Sequence, residues 1–230
     1  MNILVCGVGG QGVLLFANIV SDLALTAGLD VKKSEVHGMA QRGGSVTSHI
    51  RYAPKVASPL IEEGTADIIV AFEMMEALRY IHFLRPEGKL IYDPHRIDPL
   101  PVSTGVVARP TDQWLEGLLT ERVGAESKAG KTGTVPSQGP VRLPGTVPDF
   151  SALHGACEVH GGLVCVPAFQ AALKLGNARV QNVVMLVSIS LSLEFPEEAY
   201  HQAITQRVKP KVVELNLKAF AEGRALCSRA

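Results

Sequence analysis

The chain has 230 residues, of which 47% are hydrophobic and 19% charged, enough apolar surface for one substantial core with or without an appendage. Lysine plus arginine and aspartate plus glutamate both number 22, so no net field draws the chain to nucleic acid or to an anionic membrane. The longest apolar stretch, residues 183–193, is broken by Ser188, Ser190 and Ser192 and is too short to span a bilayer, and Met1 leads straight into a strand pattern, so a cytoplasmic protein is expected.

The run Ile3-Leu4-Val5-Cys6 reads as a buried parallel strand, and residues 13–27 read as a helix stopped by Gly28. Between them lies Cys6-Gly7-Val8-Gly9-Gly10-Gln11-Gly12, in which Gly7, Gly9 and Gly12 satisfy G-x-G-x-x-G. Such glycines allow a sharp turn, room for a phosphate and close helix-to-strand contact, with the helix N-terminus adding partial positive charge. The competing reading is that they only permit tight α/β packing. Dinucleotide folds hold a ribose with an acidic residue ~20 positions further on. Asp30 and Glu35 are both candidates for that role.

Residues 45–52 alternate, placing Val46, Ile50 and Tyr52 on a core face and Thr47, His49 and Arg51 on a polar one. Ile68-Ile69-Val70-Ala71-Phe72 is a second buried strand, followed by a helix over 73–84, a turn at Pro86-Glu87-Gly88 and a strand over 89–92. Repeated strand–helix–strand units of this kind imply an α/β fold: a doubly wound, mostly parallel Rossmann-like sheet with helices on both faces. Ligands bind such sheets beyond the C-terminal strand ends, so Gly7 to Gly12, Glu73 and Asp93 should share one edge.

Residues 124–148 hold five glycines and four prolines and no hydrophobic period, which predicts a flexible insertion. Gly130-Lys131-Thr132 imitates a phosphate-binding loop, but Gly124 stands one residue too far upstream and no strand leads in. Order resumes with a last strand at 163–166 and a helix over 168–175 that stops at Gly176-Asn177. Further helices are expected over 179–193, 197–207 and 212–222, so that residues 178–230 pack as a C-terminal helical segment on the sheet or on a partner. The whole chain, 1–230, reads as a single domain.

Cys6, Cys157, Cys165 and Cys227 show no C-x-x-C spacing, which argues against an iron–sulfur cluster or structural zinc made by this chain alone and favours small buried thiols. His37 and His49 are the residue type for acid/base or anion contact, and equally for hydrogen-bonded structural positions. Arg42 presents two parallel donors suited to a carboxylate or phosphate, with an interface salt bridge as the alternative. Glu73 either orients a ligand or a neighbouring loop, or caps the helix that follows it. Met74-Met75 reads as core.

Several strings taken together carry a resemblance: Gly7-Val8-Gly9-Gly10-Gln11-Gly12, residues 34–45 with Glu35-Val36-His37-Gly38-Met39-Ala40-Gln41-Arg42-Gly43-Gly44 at their heart, Ser58-Pro59-Leu60-Ile61, Gly64-Thr65-Ala66-Asp67 and residues 73–79. They resemble the gamma-type component of the 2-oxoacid:ferredoxin oxidoreductases. The likeness covers about residues 1–120 and resumes over 164–223, where Gly176-Asn177, Asn182, Glu214-Leu215-Asn216 and Ala219-Phe220 also fit; it departs over 122–162. The resemblance implies a heteromeric complex that oxidatively decarboxylates aryl 2-oxoacids such as indolepyruvate, with coenzyme A as acyl acceptor and ferredoxin as electron acceptor. It implies that thiamine diphosphate and iron–sulfur clusters reside in a large alpha subunit, and that this chain completes the active-site cleft without a catalytic residue or metal of its own. Coenzyme A is then the anion for Gly7, Gly9, Gly10, Gln11 and Gly12, while Glu35, His37, Met39, Gln41, Arg42, Gly43 and Glu73 face substrate or the subunit interface. The alternatives are a subunit acting on pyruvate or another 2-oxoacid, a stand-alone dinucleotide-binding or adenylating enzyme, and a regulatory or assembly protein that keeps the fold without the chemistry.

Overall fold

The computed structural model describes residues 1–37, 43–98, 100–106, 108–129, 157–160 and 162–227. In chain order the elements are β1 (Asn2–Val8), α1 (Val13–Thr26), β2 (Asp30–His37), β3 (Ser45–Ala53), β4 (Ala66–Ala71), α2 (Met74–Tyr80), β5 (Leu84–Tyr92), α3 (Leu100–Ser103), α4 (Asp112–Ala129), β6 (Glu158–His160), β7 (Leu163–Cys165), α5 (Ala168–Lys174), α6 (Gln181–Ser190), α7 (Glu197–Arg207) and α8 (Val213–Cys227).

The strands form one sheet in the order β2-β3-β1-β4-β5-β7-β6. Its four central strands, β1, β4, β5 and β7, are mutually parallel, while β3 runs antiparallel to β1 and to β2, and β6 antiparallel to β7. The α/β, doubly wound class is therefore as expected, with antiparallel strands at both margins. β1, read as purely parallel, is parallel only on its β4 side.

Helices on both faces explain why β1 is apolar throughout: Ile3 and Val5 point into a core with residues of α1, α5, α6, α7 and α8, and Leu4 and Cys6 into a second core with α2 and α4. Gly28 and Gly176, both with φ of 80°, carry the chain out of α1 and α5.

Several boundaries differ from expectation. β5 begins at Leu84 instead of 89: Pro86-Glu87-Gly88 lies inside the strand, where the pairing with β4 shifts register after Ala66 and Glu87 takes φ of 63°. A bulge of this kind carries residues that read as a turn. The helix expected over 73–84 is α2 plus a 3-10 turn at Ile81–Phe83. Likewise α6 and α8 are each preceded by a 3-10 turn, at Ala178–Val180 and Pro210–Val212, and α8 runs on to Cys227. The second face of β3 is not solvated, since Thr47 and His49 are buried along with its core face. α4 continues to Ala129, so the start of the expected insertion is helical; residues 130–156 lie outside the described residues, as does the Gly130-Lys131-Thr132 imitation.

Candidate functional site

From β1 the chain crosses to β2 and β3 on one side, then returns through β4 on the other. The C-terminal ends of β1 and β4 thus flank the point where the winding reverses, with α1 and α2 packed on opposite faces of the sheet, the position at which open α/β sheets bind ligands. The glycine turn leaves β1 and Phe72-Glu73 leaves β4, so the expected shared edge exists.

The turn is braced from within. Gln11 Oε1 accepts the Val8 N–H at 2.7 Å, and Gln11 Nε2 donates to the Phe72 carbonyl at 2.9 Å, which ties the turn to the end of β4. The Gly9 N–H donates to Gly44 O at 2.8 Å. A methyl group at Gly7 would stand 2.9 Å from Gln11 Oε1, Phe72 Cβ and Val13 Cγ2, and one at Gly12 only 2.6 Å from Asn182 Nδ2. Those two glycines are required by packing. Gly10 differs: it is exposed, has φ of 106°, and faces open space. The N-terminus of α1 carries no side-chain cap, and Gly12 enters it in the left-handed conformation. The inner half of the turn is therefore closed by Gln11, and the outer half, with the first turn of α1, is the part fit for a phosphate.

Behind the turn lies a buried acidic network. Asp93, fully buried just beyond β5, accepts the N–H groups of His95 (2.8 Å) and Phe169 (2.6 Å) and the side chain of Gln181 (2.9 Å). Burial pushes its carboxyl up to about 7, against the pull of those three donors and with a further push from Glu73. Gln181 Nε2 also reaches Phe72 O at 3.0 Å, so Gln11 and Gln181 share one carbonyl. Glu73 caps α2 by accepting the Glu76 N–H at 2.9 Å and holds the Ile97 N–H at 3.0 Å; burial raises its carboxyl above the usual range. One of its oxygens thus caps α2 and the other holds the loop after β5. Glu76 accepts from Ser45 Oγ and pairs with Arg79. His95 stacks on Phe169 with ring centroids 3.7 Å apart, and burial lowers its imidazole pKa.

The second sequence string reaches the same sheet edge at its end. Gly43, with φ of 76°, leads to Gly44, whose carbonyl holds the turn, and to Ser45, which holds α2. His37 pairs with Val46 and Val46 with Gly7, which sets the His37 backbone level with the turn and two strand spacings, about 10 Å, away. Glu35 sits on the outer strand β2, 2.6 Å from Lys33. Gly38, Met39, Ala40, Gln41 and Arg42 lie outside the described residues.

Two candidates are misplaced for ligand work. Asp30 begins β2 opposite Ala53, at the far end of the sheet from the glycine turn, and is engaged by Lys32 and the Val56 N–H. His49 lies mid-strand opposite Leu4, where its Nδ1 accepts the Ile61 N–H at 3.1 Å and its ring meets Phe83 edge-on; burial lowers its imidazole pKa. Sequence reasoning does not single out Gln181 as a site residue, although Gln181-Asn182 is a polar pair opening a buried helix otherwise made of apolar residues and two serines, and such a pair marks a helix start that must be satisfied internally.

Among the described residues no group of three or more His, Cys, Asp or Glu is arranged to hold a metal, and no helix is long and apolar enough to cross a membrane. Cys6 and Cys165 are enclosed in the core and Cys157 faces Cys227, so the cysteines do not fit a cluster.

Comparisons place this architecture. The chain is 33% identical over 224 residues to "Indolepyruvate oxidoreductase subunit IorB" of Pyrococcus horikoshii, covering 96% of this chain and 93% of that protein. It is 36% identical over 225 residues to the protein of the same name from Archaeoglobus fulgidus, covering 97% and 93%. Its fold matches the crystal structure of the keto/oxoacid ferredoxin oxidoreductase gamma subunit from Geobacter sulfurreducens with a TM-score of 0.61 and 21% identity, over 100% of this chain and 99% of that one. With a family model matching residues 2–226, the chain belongs to the pyruvate ferredoxin/flavodoxin oxidoreductase family.

Proposed function

We propose that this chain is the small subunit of a complex that oxidatively decarboxylates aryl 2-oxoacids such as indolepyruvate. In that reaction a 2-oxoacid and coenzyme A give an acyl-CoA and carbon dioxide, and two electrons pass to ferredoxin. The reading rests on relatives named as indolepyruvate oxidoreductase subunits, which match this chain along almost its whole length. A large alpha subunit supplies thiamine diphosphate, which carries the decarboxylation, and the iron–sulfur clusters that take the electrons; among the described residues of this chain no group of three or more His, Cys, Asp or Glu is arranged to hold a metal. Its own part is to close the cleft.

For coenzyme A, the fitting surface is the exposed Gly10 with the uncapped N-terminus of α1, where backbone N–H groups and the helix dipole favour a phosphate. Gly44, Ser45 and Glu73 hold the neighbouring loops in register with it. From the segment that precedes them, His37, Met39, Gln41 and Arg42 are assigned to the substrate or the partner, with Arg42 offering a bidentate grip on a carboxylate or phosphate.

The test is co-expression with a thiamine-diphosphate-dependent large subunit and measurement of ferredoxin reduction that requires both coenzyme A and a 2-oxoacid. Indolepyruvate should be preferred to pyruvate, the chain alone should be inert, and Arg42→Ala should cut activity sharply in a complex that still assembles. A preference for pyruvate or 2-oxoglutarate overturns the aryl assignment. Turnover of a nicotinamide substrate by the isolated chain overturns the subunit reading altogether.

A further inference from the structure

Cys157 lies immediately before β6 at the sheet margin, and Cys227 closes α8. They are 70 positions apart in sequence, yet their sulfurs stand 3.0 Å apart, inside van der Waals contact. Neither the glycine turn nor the acidic network uses them. Their surroundings are unequal: Cys157 is buried, whereas Cys227 is half-exposed at the end of its helix. The remaining thiols are placed differently, Cys165 enclosed within β7 and Cys6 donating to Glu76 O from the middle of the sheet.

We propose that Cys157 and Cys227 are a reversible dithiol–disulfide pair, oxidised by low-molecular-weight disulfides, that fastens the last helix to the margin of the sheet. Cys227 is the attacking thiol, because it is the one open to solvent. The contact from Cys157 favours its thiolate, and the same contact together with burial raises the Cys157 thiol. The Cys227 thiolate attacks one sulfur of the external disulfide; that S–S bond breaks, and one small thiolate leaves and takes up a proton. Cys157 then loses its proton and attacks Cys227 Sγ, expelling the second small thiol. Two protein thiols lose two electrons, the external disulfide gains them, and the two protons end on the two released thiols.

The closed loop spans β6, β7, α5, α6, α7 and α8, the layer that carries Gln181 to the site. Cross-linking it removes freedom from the unfolded chain and so stabilises the fold.

The experiment treats the full wild-type chain with oxidised glutathione, then denatures, alkylates and maps peptides by mass spectrometry. The expected product has lost two hydrogens, joins the Cys157 and Cys227 peptides, and leaves Cys6 and Cys165 alkylated; its melting temperature is raised by roughly 5–15 °C and dithiothreitol reverses the change. Under the same treatment Cys157→Ser should accumulate a stable glutathione adduct at Cys227, and Cys227→Ser should remain unmodified at Cys157. Wild-type protein in which both thiols stay alkylatable, or in which a glutathione adduct persists at Cys227 without closing, overturns the proposal.

Discussion

Gln181 donates to Asp93 Oδ2 at 2.9 Å, and so fastens the first residue of α6 to the chain where it leaves β5. Since the same amide also reaches Phe72 O, this one side chain joins the crests of β4 and β5 to the helical layer.

Asp93 makes the join sensitive to pH. Its folded-state pKa is raised to about 7, whereas the unfolded carboxyl releases its proton near 4. Between those values the folded chain binds more protons, so the Asp93 contribution is full below about 4, declines as pH rises, and is gone above about 7. The slope reaches at most ~1.4 kcal/mol per pH unit. Asp93→Asn removes this dependence and sets an amide NH2 against N–H donors, at a cost of about 1–3 kcal/mol. Urea unfolding at several pH values should show the gap between wild type and variant shrinking as pH rises through that window. A gap that widens contradicts the assignment.

Gly12 and Gly10 should respond differently to alanine although both have positive φ. At Gly12 the new methyl group meets Asn182 at 2.6 Å, so backbone strain and overpacking add to about 2–4 kcal/mol. At Gly10 nothing lies within 4 Å and only the backbone term remains, about 1–2 kcal/mol. Thermal melts should rank Gly12→Ala well below Gly10→Ala. Asn182→Ala should recover part of the Gly12→Ala loss in a double-mutant cycle, and strict additivity would show that the contact is not what costs.

What was legible in the sequence was whatever the chain decides locally. The run from Ile3 to Cys6, the stop at Gly28 and the edge shared by Gly7 to Gly12, Glu73 and Asp93 all follow from period, turn chemistry and winding. What was not legible depended on cover from elsewhere. Period 2 in β3 makes His49 look solvated, and only the Ile61 segment lying over it, with Phe83 against its ring, makes it core. β6 is three residues long and owes its existence to β7. At the site, G-x-G-x-x-G spacing left an anion cradle and tight packing both open; Gln11 folds back into the inner half of the turn, and no spacing rule foretells where a flexible amide will point.

The loop after β5 should depend on Arg96, whose side chain is almost wholly buried. Nη1 donates to Pro110 O at 2.7 Å and to Asp112 at 2.9 Å, and Nε stands 2.6 Å from Asp98. Arg96→Met leaves the Pro110 carbonyl without this donor and Asp98 with Arg109 alone, costing about 1–3 kcal/mol, and Arg96→Lys should rescue little because one ammonium cannot span the three acceptors. A melting temperature for Arg96→Lys equal to wild type would show that charge alone suffices.

Gln11 gives the sharpest separation of bracing from ligand binding. Its amide satisfies the Val8 N–H and one side of the Phe72 carbonyl, and Phe72 keeps Gln181 when Gln11 is lost. Gln11→Leu should therefore cost only about 1–2 kcal/mol, the price of one half-buried N–H. The turn would lose its tie to β4, so the N–H groups of its outer half would no longer be held in place for a phosphate. An anion site weakened in that way loses affinity without losing chemistry, because the group it holds is remote from the reacting carbon. In the reconstituted complex the KM for coenzyme A should rise several-fold at unchanged kcat, and the KM for the 2-oxoacid should stay put. If both KM values hold while stability falls, Gln11 is bracing alone and the coenzyme does not lie on the glycine turn.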